Sequence, residues 1–109
     1  MTDEGPAISY KLLRRGTPVQ ASDGTRLGTT DRVLENEREH IFDGLVVSTR
    51  EGTRFVDAPE VARIAELRVT LGIDAAAAAQ LPERDPKGAT EFQANVGKRF
   101  GRMWRRRRR

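Results

Sequence analysis

The chain of 109 residues contains no cysteine and a single histidine, His40. Without thiols there is no disulfide framework, no thiolate metal site and no cysteine nucleophile. One imidazole leaves little for a Ser-His-Asp apparatus or a multi-histidine cage, so neither a metal nor an organic cofactor is expected. Aromatic residues make up only 6% of the chain, and charged residues at 33% nearly equal the hydrophobic 37%, so a domain this small has a lean core. No run approaches the ~18 apolar residues of a membrane-spanning helix. The opening Met1-Thr2-Asp3-Glu4-Gly5-Pro6 lacks both the apolar stretch of a secretory signal and the acid-poor, arginine-rich character of a transit peptide. These absences lead to the expectation of a cytoplasmic protein with one small domain.

What is present is charge, unevenly placed. The formal net charge of +4 conceals two regions of opposite sign. Residues 1–86 hold eleven Lys/Arg against fifteen Asp/Glu, a net of −4, whereas residues 87–109 hold nine Lys/Arg against Glu91 alone, a net of +8. The second region ends in Arg105-Arg106-Arg107-Arg108-Arg109. Such a block repels itself and contributes little to a core, so 87–109 is expected to be a basic tail, disordered or conditionally helical.

The acidic body reads as short strands separated by turn signals. Pro18 to Ala21 runs into Asp23-Gly24, a pairing suited to a tight hairpin, and Leu27 to Leu34 forms the second strand. Gly28 inside it signals a bulge or a close backbone approach. Asn36 to His40 is a polar loop. Asp43-Gly44 is a turn candidate within the apolar run Ile41–Thr49, although Leu45 to Thr49 carries the stronger strand signal. Glu51-Gly52 marks another hairpin leading to Thr53–Asp57, which Pro59 ends or holds at a sheet edge. Val61 to Ile64 and Arg68 to Leu71 make a final pair. Asp74 before Ala75–Leu81 is an N-cap followed by strong helix formers, and Pro82 stops the helix. The expected fold is therefore mainly β: a small antiparallel β-barrel, or a curled antiparallel sheet, of five or six short strands with a short Ala-rich helix docked on it and a basic amphipathic tail.

The order of these segments resembles the PRC-barrel domain family. Gly16-Thr17-Pro18-Val19, then Asp23-Gly24, Leu27-Gly28 and Val33, resemble its opening. Phe55-Val56-Asp57-Ala58-Pro59-Glu60-Val61, Ile64 and Arg68-Val69-Thr70-Leu71 resemble its closing strands. On this reading 1–13 is an N-terminal segment, 14–74 the PRC-barrel-like domain, 75–86 the helix and linker, and 87–109 the tail. The resemblance implies a docking or adaptor module. Similar domains occur in the cytoplasmic part of the photosynthetic reaction-centre H subunit and in a bacterial ribosome-maturation factor, neither of whose specific roles carries over.

Candidate chemistry in the body is sparse. Glu37, Glu39, His40 and Asp43 could be drawn as a metal site, but they read better as a charged hairpin loop. Asp57 and Glu60 flank Pro59 without a neighbouring nucleophile or base, so no catalytic residue and no enzymatic activity are expected. The tail carries the stronger signal. Phe92, Val96, Phe100 and Met103, spaced 4, 4 and 3 residues apart, form an apolar stripe on a helix. Trp104 borders it, with Lys98, Arg99, Arg102 and Arg105 to Arg109 supplying cations. A basic amphipathic segment of this kind suits nucleic acid or an anionic membrane surface. The expected function is a non-enzymatic adaptor: the barrel binds a protein partner and the tail binds an anionic polymer, RNA slightly preferred to DNA. Peripheral membrane attachment through the same tail is the alternative, and the edge strand limited by Pro59 leaves a homodimer open.

Overall fold

The computed structural model describes residues 4–36, 38–83 and 90–91. Seven strands form one sheet: β1 (Pro18–Gln20), β2 (Arg26–Asn36), β3 (Ile41–Thr49), β4 (Gly52–Asp57), β5 (Val61–Ile64), β6 (Val69–Leu71) and β7 (Thr90–Glu91). The order across the sheet is β4-β3-β2-β1-β6-β5, with β7 pairing to β2 beyond the end of β1. Helical structure among the described residues is limited to 3₁₀ turns at Tyr10–Leu12 and Ala58–Glu60 and to α1 (Ala75–Ala78). The mainly β class and the positions of β1–β6 agree with the turn signals in the sequence.

Four expectations require correction. The sheet is mixed rather than antiparallel, because β1 pairs with β6 in parallel, Val19 opposite Val69. The chain crosses from β4 to the far edge and returns through the β5–β6 hairpin, which sets β6, not β5, beside β1. Nor is the sheet closed into a barrel, since β4 and β5 end the strand order without pairing to each other. The Asp43-Gly44 turn candidate is also absent: β3 runs through it, with a register shift against β2 at this point. The helix is shorter than its alanine run, although Asp74 caps it as expected, accepting from the Ala77 N–H at 2.9 Å.

The sheet is nevertheless strongly curled, and chain connectivity requires it. In a flat sheet, five strand spacings would separate β4 from β5 by about 24 Å. Only Ala58–Glu60 connects them, so the Asp57 and Val61 Cα atoms lie within about 15 Å. Register shifts in the β1–β2, β2–β3 and β5–β6 pairs supply the local bends. The concave face gathers a single core of Val19, Val33, Leu45, Val47, Val56, Val69 and Leu71, drawn from five strands, with Leu13 added from the N-terminal segment. Leu34, Val46 and Phe55 form a second, smaller cluster.

Both sheet edges are occupied by other parts of the chain. Residues 4–8 line β5: Ile8 N–H donates to the Ile64 carbonyl, Ala7 bridges Ala65, and Leu67 N–H donates to the Glu4 carbonyl. The buried Glu4 carboxylate accepts from Arg63 Nε and lies 3.6 Å from Arg68 Nη2, fixing this segment by charge as well. On β4, the Phe55 N–H donates to the Pro82 carbonyl at 2.6 Å and the Asp57 N–H to Glu60 Oε1 at 3.2 Å. Covering the edges in this way limits strand-to-strand association.

Gly28 shows how closely the strands approach, because a Cβ at this position would stand 2.0 Å from the Ser48 carbonyl oxygen. Gly24, by contrast, occupies an open turn with φ +91°, where a Cβ would meet nothing within 4 Å. Gly28→Ala should cost at least about 2 kcal/mol through backbone displacement. Gly24→Ala should cost only about 1 kcal/mol, from its left-handed φ. Urea unfolding of the two variants checks this, and equal costs would contradict the close approach.

Candidate functional site

Curling leaves two mouths to the concave face, and the described residues line them differently. At one mouth the N-terminal segment packs inward. Tyr10 stacks on Phe42 with ring centroids 5.0 Å apart. Its hydroxyl lies 2.8 Å from Glu35 Oε1 and 3.0 Å from the His40 carbonyl, two acceptors competing for one proton. His40 Nδ1 is 3.6 Å from the other oxygen of Glu35, and His40 itself holds φ +55°. Desolvation, followed by the hydrogen bond to Glu35 and its charge, pushes the Tyr10 pKa up to about 12. These polar groups are turned on one another and on the end of β2.

Among the described residues the other mouth is open. It holds a groove of about 580 Å³ whose floor is Leu27, Val47, Val56, Leu71 and Leu81 and whose side is α1, through Ala75, Ala78 and Ala79. Volumes of this order accommodate small ligands or inserted side chains. The position of α1 is set by two carboxylates. Asp74 caps it, while Asp23 in the β1–β2 turn accepts from Thr25 N–H at 2.9 Å and from Ala75 N–H at 3.3 Å. The same bonds, Thr25 first and Ala75 after it, hold the Asp23 carboxyl below its ordinary pKa. Ala78 is buried against the sheet, whereas Ala79 remains exposed at the groove.

Three arginines stand around this apolar floor: Arg26 at the start of β2, Arg50 in the β3–β4 turn and Arg54 on β4. Arg54 donates to the Thr53 carbonyl at 3.0 Å and lies 3.8 Å from Glu83 Oε2. Arg26 and Arg50 are exposed and make no ion pair among the described residues. Glu51 is the only acid among the groove-lining residues described. A cationic rim on an apolar pocket thus occurs within a body whose net charge is −4. Sequence reasoning missed this groove because its arginines are separated along the chain and meet only through the β2–β3–β4 meander.

The residues singled out from the sequence for anion binding lie elsewhere. Lys98, Arg99, Arg102, Trp104 and Arg105 to Arg109, with the stripe Phe92, Val96, Phe100 and Met103, are outside the described residues. Their attachment point is described: β7 pairs antiparallel with β2, Glu91 opposite Leu34 and Thr90 opposite Glu35. Glu37 of the charged loop is also outside the described residues, and among those described no group of three His, Cys, Asp or Glu side chains is placed to hold a metal. No protein-family model matches the chain, and no curated protein matches it.

The Tyr10 cluster makes a direct prediction, because Tyr10 is the single tyrosine of the chain. Near-ultraviolet absorbance should show tyrosinate forming at about pH 12 in the folded protein and near 10 after unfolding. With the folded value the higher, the stability contributed by this group is complete below pH 10 and is lost as pH rises toward 12. Tyr10→Phe should remove that loss. Folded-state titration near 10 would contradict the arrangement.

Proposed function

We propose that the protein is a non-enzymatic adaptor, related in pattern to PRC-barrel domains, whose curled sheet docks a protein partner while its basic tail binds an anionic polymer. The observation that carries this reading is the division of charge: −4 over residues 1–86 and +8 over residues 87–109. Opposite signs in two adjoining regions favour two binding tasks, and the uneven distribution sets a strong local field at the tail. β7 gives that tail a defined root beside Leu34 and Glu35 of β2. From Glu91, the eighteen residues 92–109 can reach at most roughly 60 Å when extended.

RNA is the preferred polymer. Arginine makes bidentate phosphate contacts and stacks on bases, and Phe100 and Trp104 add aromatic faces worth roughly 1–3 kcal/mol per stacked base. The resemblance of the sequence order to that of the PRC-barrel family supports the docking role of the body. The body and tail are proposed to act together, the sheet selecting the partner and the tail holding the assembly to its charged substrate.

Titration of the full chain with labelled single-stranded RNA at several salt concentrations tests the tail. Replacing Arg105 to Arg109 with glutamine should flatten the plot of log affinity against log salt by up to roughly 3.5, since each neutralised phosphate contributes about 0.7. An unchanged slope would remove the polymer-binding role. Binding to anionic vesicles with none to RNA would transfer the tail to the membrane-attachment alternative.

A further inference from the structure

We infer that the open mouth beside α1 is the protein-docking site, and that its occupant is an acidic peptide segment carrying a bulky apolar anchor. This rests on the adaptor reading and adds to it the surface and the chemistry of the partner. Three observations lead to it. The floor is apolar and built from core side chains of four strands together with Leu81, so an inserted apolar side chain would join the existing core. The rim is cationic, with Arg26 and Arg50 exposed and unpaired among the described residues, so carboxylates flanking the anchor would meet complementary charge. Finally, the edge of β4 beside the mouth already directs its Phe55 N–H to Pro82, which favours side-chain insertion over strand addition.

Charge also decides against the chain's own tail. A segment of net +8 would meet the arginine rim with repulsion, although its apolar stripe matches the floor in character. The hollow beside Phe42 is a poorer candidate, because the charged residue among its described lining, Arg63, is already paired with the buried Glu4.

The test uses methyl-labelled full-length protein and the peptide Asp-Asp-Leu-Phe-Glu-Glu, blocked at both ends. Two controls carry Ser-Ser in place of Leu-Phe, or lysines in place of the acids. The first peptide should shift the methyl resonances of Leu27, Val56 and Leu71, and neither control should do so. Arg26→Glu and Arg50→Glu, both at exposed positions, should each weaken those shifts about fivefold or more while leaving the remaining spectrum folded. Signals confined to residues 92–109 would overturn the groove, since they would report only attraction to the tail. Equal binding of the lysine peptide, or shifts produced by dodecanoate and not by the peptide, would overturn the proposed occupant. Shifts on another face of the body would overturn the groove and leave the adaptor reading standing.

Discussion

The connection Ala58–Glu60 is the constraint on which the rest of the structure depends. It joins the two strands that end the hydrogen-bonded order, so the sheet must bend until those edges approach. Bending gives a lean sequence an interior: small aliphatic residues from five strands converge on one face and bury one another. The register shifts distribute the curvature, and the parallel β1–β6 contact places the final hairpin against the first strand. Hydrogen bonding around the sheet remains open at the β4–β5 seam, and the chain connection holds the shape.

A curled sheet with an open seam has two liabilities, exposed edges and exposed mouths. Both edges are met by chain segments, residues 4–8 on β5 and Pro82 on β4. The mouths differ. The stacked Tyr10–Phe42 pair packs at one, whereas among the described residues α1 stands at the side of the other, where half-buried Leu27 and Leu81 lie over the buried Val47, Val56 and Leu71 beneath arginines. The proposed binding roles therefore rest on two cationic features beside an acidic body, the groove rim and the Arg-rich sequence that follows β7. Their common charge disfavours contact between groove and tail.

The local fold was legible in the sequence wherever backbone chemistry governs it. Asp23-Gly24 and Glu51-Gly52 marked their hairpins, Gly28 marked a close approach, and Asp74 marked the start of α1. Strand order was not legible, because the placement of β6 beside β1 depends on pairing between residues about 50 apart. The packing of residues 4–13 had no periodic signal: Glu4 is held by the distant Arg63 and Arg68, and Tyr10 by Glu35 and Phe42. The charge and apolar spacing read in the tail fall on residues outside those described. The groove was invisible because Arg26, Arg50 and Arg54 become neighbours only after β2, β3 and β4 pair.

Core and groove alike require the sheet to curl far enough to bring strands from opposite halves together. In a flat sheet, β3 and β6 would lie about 14 Å apart and β4 and β6 about 19 Å apart, beyond nuclear Overhauser contact between methyls. Nuclear Overhauser spectroscopy on methyl-labelled full-length protein measures this directly. Cross-peaks should join the methyls of Leu45, Val47 and Val56 on β3 and β4 to those of Val69 and Leu71 on β6. Cross-peaks restricted to adjacent strands would contradict the curl, and with it the groove that the curl creates.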